Sequence, residues 1–464
     1  MDKLEEEVDN KSTTLAELLT QGHLEDLYEI LQEMPTVEVC DFLADRTEEE
    51  ILQVLDLFPE AERGYILGEL EQEVQLKIFH FLDKLHFAPL FSHMASDARA
   101  DLYQELDREE QVELLPFLTK QVREDVISLS SYPPETAGGI MSTDFATIYN
   151  DMTASESIAK IRVDAPSQKM IYYIYVVDHL QRMIGLVTLK DLIMADPNEK
   201  IEEILQEFFI YAEVNEDRES VAQKIEKYSL VAIPVLNPFK QLVGIVSHDD
   251  AIEIIQEEHT EDLEKFMAIT PSKDDEDYLE MSSFSHFKKR AIWIVALAAI
   301  GIISGMIIHQ YQTILEKIIV LAIYMPMMTA TGGNSGSQSA TLVIRALSLG
   351  EAGVKDWWKI IFKEFKISFM ISLCVATLIF VKVKFFSFTS AYPDHFDPTM
   401  VGLTIALALA LQVVSSAIIG AGLPLIVRKL GGDPAVAASP AITTAVDITG
   451  LLIYFSTATL MLNL

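Results

Sequence analysis

The sequence predicts a multidomain membrane protein in three parts: an α-helical superhelical N domain, an α/β pair of repeated modules, and an all-α membrane domain of five transmembrane helices. Three observations carry this expectation. Charge is unevenly divided: residues 1–285 hold 62 of the 70 acidic and 22 of the 35 basic side chains, and the remaining 179 residues are slightly basic. A segment near the middle repeats itself with a period of 59 residues. The last third contains long uncharged runs.

The first part, 1–135, reads as short amphipathic helices. Examples are 47–58 (TEEEILQVLDLF) and 74–82, with apolar residues at spacings of three and four. Thr47 and Glu50 have the capping-box spacing. Pro35, Pro59 and Pro116 punctuate the run. A stack of helical hairpins follows, a form that binds or transmits more often than it catalyses. The surplus of 40 negative charges in residues 1–285 repels nucleic acid and attracts cations, divalent ones above all.

The repeat pairs VVDHLQRMIGLVTLKDLI (176–193) with VLNPFKQLVGIVSHDDAI (235–252). Val176, Asp178, Gly185, Thr188 and Asp191 recur as Val235, Asn237, Gly244, Ser247 and Asp250. Each copy predicts strand, turn, strand, then a helix start. Thr188 and Ser247 sit where they cap that helix, with Asp191 and Asp250 in its first turn. The repeat resembles a tandem pair of CBS domains, over 136–200 and 201–258. A charged helix, EEHTEDLEKF (257–266), comes next, within a connecting or plug segment expected over 259–284.

The membrane domain is expected over 285–464. Its runs are 291–309, 318–344, 367–381, 400–427 and 434–464; the last carries one charge, Asp447. About 20 residues cross the hydrocarbon core as a helix, so five spans are predicted. Ten Lys and Arg residues, among them Lys288, Arg345 and Arg428, fall on one side of these spans and three on the other. This places the N-terminus in the cytoplasm. The N-terminal residues have neither the basic start nor the apolar run of a signal peptide. Cys40 and Cys374 lie in an acidic and an apolar setting, which fits a reducing compartment.

Two features of these spans carry chemistry. The second is expected to be interrupted, by Pro326 and by Thr331-Gly332-Gly333-Asn334-Ser335-Gly336. Irregular backbone survives in a membrane only where it lines a wet cavity or is buried in protein. The alternative is that the small residues let helices pack closely. Asp447 lies 14 residues into the fifth run, roughly 20 Å along at helical rise. An ionisable group at that depth marks an ion path; the bland reading is a bond to Thr443 or Thr444. The donors around it are all oxygen-bearing: Asp447, Asn334, Thr331 and Ser335. Hard cations prefer such donors. Mg²⁺ keeps most of its waters, so a hydrated ion meeting one Asp447 from each of two subunits predicts a homodimer with the path on its axis.

The order Met325-Pro326, Gly332-Gly333-Asn334-Ser335-Gly336-Ser337-Gln338-Ser339-Ala340-Thr341, Asp433-Pro434 and Asp447-Ile448-Thr449-Gly450-Leu451-Leu452-Ile453-Tyr454 resembles the MgtE magnesium channels. So do Ala137-Gly138-Gly139-Ile140-Met141 and the run 171–178. The resemblance covers essentially the whole chain and implies a homodimeric Mg²⁺ channel of the inner membrane, not an enzyme. Its acidic cytosolic domains would bind regulatory Mg²⁺ and close the pore. It implies pore positions at Asp447, Asn334, Thr443, Gly332 and Gly333. It implies sensor positions at Asp97, Asp101, Gly139, Glu219, Asp250, Glu253, Glu258, Glu261, Asp262 and Asp433. Some members also bind ATP at the CBS pair, at residues this sequence does not identify. Ser229 and Tyr65 stand where acidic ligands are expected, and Ser337 and Ser439 where asparagine is common.

Three other readings compete. A CBS-regulated anion channel would need positive groups at mid-depth. A membrane aspartyl protease would need Asp followed by Thr or Ser and then Gly, and Asp447-Ile448-Thr449-Gly450 is one residue out. A broader divalent transporter taking Co²⁺ or Mn²⁺ uses the same donors.

Overall fold

A computed structural model describes residues 13–164, 170–271, 278–279, 281–386, 397–437 and 439–463. The chain divides into two compact units, Met1–Gln256 and Glu257–Leu464.

The first unit begins with short helices, from Leu24–Leu31 through Lys120–Leu129. Leu27, Leu43, Leu67, Ile78, Phe79, Phe87 and Phe91 have no exposed surface and form one continuous core. Pro35 and Pro59 sit immediately before helices, where a missing N–H costs nothing. Thr47 caps Glu48–Leu55 in the expected reciprocal way: its hydroxyl accepts from the Glu50 N–H, and the Glu50 carboxylate accepts from the Thr47 N–H at 3.0 Å.

The repeat becomes two three-stranded sheets. In the first, β1 (Phe145–Tyr149) lies parallel to β2 (Met170–Val177), which pairs antiparallel with β3 (Met183–Thr188). In the second, β4 (Ala212–Glu213), β5 (Ala232–Leu236) and β6 (Leu242–Ser247) repeat that order. The equivalences hold atom by atom. Gly185 pairs with Val176, and Gly244 with Val235. The Asp178 carboxylate accepts from the N–H of Leu180 and Arg182, and the Asn237 carbonyl accepts from Phe239 and Gln241. Each side chain thus closes its own hairpin. Thr188 caps Leu189–Met194 with Asp191, and Ser247 bonds Asp250 in the same way. The helix after β6 runs unbroken from His248 to Phe266, so the expected module boundary at 258/259 falls inside it.

Among the described residues the second unit holds five long helices: Ser283–Gln310, Val320–Ser348, Trp357–Phe386, Pro398–Lys429 and Ser439–Leu462. Among the described residues four regions, all but the second, are long and apolar enough to cross a membrane. The Thr-, Ser- and Gly-rich middle of 320–348 lowers its hydropathy, so four of the five expected spans meet that length and apolarity.

The expected interruption of the second span is not found. Residues 320–348 form one α-helix that contains Pro326. Its glycines serve close packing instead. A Cβ at Gly420 would overlap the Gly336 carbonyl, and one at Gly336 would lie 3.2 Å from the Ser416 carbonyl oxygen. The 320–348 and 398–429 helices therefore touch backbone to backbone, which in a membrane replaces the missing hydrophobic drive by van der Waals contact. Replacing Gly420 by Val should force these helices apart. The expected cost is about 1–3 kcal/mol or more, read as a lowered thermal midpoint of the detergent-purified protein.

Candidate cation pathway and acidic sensor

Ser439–Leu462 places the central carboxylate. The α-helix begins at Ser439, after a 3₁₀ turn at Pro434–Val436, so Asp447 lies about 12 Å along the helix and not the expected 20 Å. Ile442, Val446, Gly450 and Tyr454, four residues apart, are buried against the neighbouring helices. Thr443 and Asp447 lie one position round and are partly exposed. The hydroxyls of Thr443 and Thr444 both donate to the Pro440 carbonyl, at 2.9 and 2.8 Å. They are therefore spent on their own helix, and no described side chain bonds the Asp447 carboxylate.

The 320–348 helix supplies the opposite wall. A Cβ at Gly333 would come within 3.3 Å of Thr443 Cγ2, so these two expected positions do meet. Asn334, next along, is exposed. Gly332 faces elsewhere, onto the side chain of Gln412. Thr331 is partly exposed, and the Ser335 hydroxyl donates to the Val413 carbonyl at 3.2 Å. Ser337 and Ser439, at positions where asparagine was expected, bond each other at 2.8 Å. Glu364 was not anticipated, because it precedes the third uncharged run. It is 7% exposed, inside Trp357–Phe386, and accepts from the Ser339 hydroxyl at 2.6 Å.

The acidic end of His248–Phe266 meets the mouth of the bundle. Phe266 packs on Ala340, Ile344, Ile442 and Val446, which lie on 320–348 and 439–462. The Lys265 ammonium donates to Asp433 at 2.9 Å and pairs with Glu261 at 2.8 Å. Asp433 also caps the Pro434–Val436 turn through the Ala435 N–H at 2.8 Å. Burial works against the charge on Lys265, yet its bonds to Glu261 and Asp433 outweigh burial and raise its pKa. Asp262 is pushed the other way, towards its neutral form: burial raises its pKa first, the Asp433 and Glu261 charges raise it further, and Lys265 and His259 only partly offset this. Three carboxylates thus gather around Lys265, and His259 adds a weaker offset at Asp262.

The remaining expected sensor residues are dispersed. Asp250 serves the helix start through Ser247, and Glu219 accepts from Gln223 at 2.9 Å. Glu253 is exposed and Glu258 half-buried on the same helix as Glu261. Asp97 and Asp101 lie one turn apart on Ser96–Glu105, and the Gly139 N–H donates to Thr136. Ser229 is an exposed C-cap at φ 50°, and Tyr65 lines a cavity of about 930 Å³ with Arg99 and Asp125. Among the described residues of one chain, no three His, Cys, Asp or Glu side chains gather into a metal site.

Comparison with known proteins gives a consistent answer. The chain is 32% identical to the magnesium transporter MgtE of Thermus thermophilus, across 97% of this chain and 98% of that protein. It is 31% identical to the magnesium transporter MgtE of Bacillus subtilis, across 96% of each. This chain belongs to the MgtE family. Residues 325–457 match the family model described as MgtE divalent cation transporter, 34–135 the MgtE intracellular N domain, and 137–198 and 196–257 the CBS domain. A crystal structure of the soluble part of a magnesium transporter covers 54% of this chain and 99% of its own, at 27% identity and a TM-score of 0.51. The family places the soluble modules in the cytoplasm and the long apolar helices in the membrane.

In this MgtE-family protein the raised pKa of Asp262 has a definite sign. The folded, metal-free state disfavours its charged form, so its penalty grows as pH rises through the carboxylate range and vanishes below about pH 3. Asp262→Asn should therefore raise the thermal midpoint of the metal-free protein at pH 7. The gain should fade on acidification, checked by calorimetry across the acid range.

Proposed function

We propose that this protein is a homodimeric channel that carries Mg²⁺ into the cell through a path past Asp447, and that cytosolic Mg²⁺ closes it. The observation that carries the pore reading is the Asp447 carboxylate, partly exposed in a membrane helix and bonded to no described side chain. A fixed charge in that position concentrates cations. Thr443 lies one turn before Asp447 on the same helix, and Gly333 of the neighbouring helix lies against Thr443. Mg²⁺ holds its water tightly, so a path lined by few direct ligands suits passage of a largely hydrated ion. The transporter identity of the relatives supports the same direction.

The gating reading rests on the carboxylates of His248–Phe266. Glu258, Glu261 and Asp262 lie within one and a half turns, and Glu261 shares Lys265 with Asp433. Without a divalent ion these charges repel, and Lys265 and His259 only partly offset the charge on Asp262. A Mg²⁺ bound among them converts repulsion into attraction and holds Phe266 against the bundle mouth. Mg²⁺ thus favours the closed state because it binds that state better. Sites of partly hydrated, partly solvated carboxylates fall in the ~10⁻⁴–10⁻³ M range. The dispersed positions Asp97, Asp101, Gly139, Glu219, Asp250 and Glu253 are assigned to further regulatory ions, completed between domains or subunits.

The family model is described as a divalent cation transporter, which keeps Co²⁺ and Mn²⁺ as a second reading. Flux into proteoliposomes, with Mg²⁺, Co²⁺, Mn²⁺ and Ca²⁺ supplied in turn, separates the two. Asp447→Ala should abolish Mg²⁺ flux while the protein stays folded, and wild-type conduction by that variant would remove the pore assignment. Neutralising Glu258, Glu261 and Asp262 together should leave a channel that stays open at high cytosolic Mg²⁺. Patch clamp with stepped bath Mg²⁺ reads this; closure over the wild-type range would overturn the gating assignment alone.

A further inference from the structure

One side chain joins the three helices around Asp447. Gln412, on Pro398–Lys429, has no exposed surface. Its Nε2 donates to the Val446 backbone carbonyl at 3.0 Å. The amide is held between bare backbones on both sides. A Cβ at Gly332 would collide with Nε2, and a Cβ at Gly450 would collide with Nε2 and lie 2.7 Å from Oε1. The orientation of the amide follows, because a carbonyl oxygen only accepts; turning the amide over would set two acceptors face to face. Oε1 is then buried with no hydrogen-bond partner among the described residues.

Neither packing nor satisfaction of the backbone explains a glutamine here. A leucine or methionine would fill the same volume and strand no polar atom. The Val446 carbonyl does not depend on the amide either, since the Thr449 hydroxyl lies 3.1 Å from it. What the bond does is geometric. Val446 immediately precedes Asp447, so a bond from a neighbouring helix to the Val446 carbonyl fixes both the rotation and the depth of that turn. The 320–348 helix supports the same arrangement through a side chain: the Ser335 hydroxyl donates to the Val413 carbonyl, one residue beyond Gln412.

We infer that Gln412 is a positioning residue of the pore: its amide locks the turn that carries Asp447 and thereby sets how a permeating cation meets the carboxylate. This inference rests on Asp447 being the pore carboxylate. It assigns Gln412 no contact with the ion.

The test uses full-length Gln412→Leu and Gln412→Met in planar bilayers at low cytosolic Mg²⁺, with Asp447→Asn in parallel. Unit conductance is recorded against Mg²⁺ concentration, together with the Mg²⁺/Ca²⁺ permeability ratio and thermal stability. The expected result is a roughly three- to tenfold shift in the half-saturating Mg²⁺ concentration and a lowered permeability ratio, as a small displacement of one critical group would cause. Thermal stability should be equal or higher, and the Mg²⁺ concentration that closes the channel unchanged. Wild-type saturation and selectivity in both variants would overturn the inference, as would loss of folding in both, because the role would then be structural. If Asp447→Asn conducts like wild type, the pore reading itself fails; if it is silent while both Gln412 variants behave as wild type, only the role of Gln412 fails.

Discussion

An ionised carboxylate among apolar helices is tolerable only where water or a cation reaches it, and Asp447 imposes that condition on every helix around it. The turn that bears it must leave one side open while the other stays packed. Ile442, Val446, Gly450 and Tyr454 supply the packed side at a spacing of four, and the position one residue on from Val446 is left facing outward. The glycines of 320–348 and 398–429 make this affordable by letting backbones touch. Close contact of Gly336 with Gly420 anchors the wall, so that the wall does not need Asp447 to hold it.

The same electrostatic problem recurs at the cytoplasmic mouth with a different solution. Glu261, Asp262 and Asp433 converge there, and among the described residues Lys265 pairs with Glu261 and Asp433 while Lys265 and His259 only partly offset the charge on Asp262. The carboxylates outweigh these positive groups and leave repulsion that a divalent ion can remove. Phe266, the residue after Lys265, packs against the helices that frame Asp447. Charge balance at the mouth is thereby coupled, through adjacent residues of one helix, to packing at the bundle. That adjacency gives the gating proposal its physical content.

Much of this was readable from the chain. The 59-residue repeat predicted two modules whose hairpins, glycines and caps coincide, because local hydrogen bonding from Asp178 or Asn237 depends on residues only two to four positions away. Thr47 and Glu50 capped as their spacing required. Long uncharged runs predicted long helices. The second span was misread as broken, because proline and glycine disfavour helix in water, whereas a membrane leaves the backbone no other partner than itself. The start of the last helix was placed too early for a related reason: Pro434 and the Asp433 cap favour a separate turn.

By itself the sequence determined which residues bear charge, which segments are apolar enough for a membrane, where the modules repeat and which family the chain resembles. Those properties are local in the chain or survive as ordered motifs. Only the tertiary structure decided what each small or polar residue faces. It turned Gly332 to Gln412 and Gly333 to Thr443, although the two are adjacent, because successive residues on a helix point about 100° apart. It brought Lys265 to Asp433, 168 residues away, and buried Glu364 against Ser339. Spacing along the chain does not encode such contacts; they follow from which helix faces the bundle presses together.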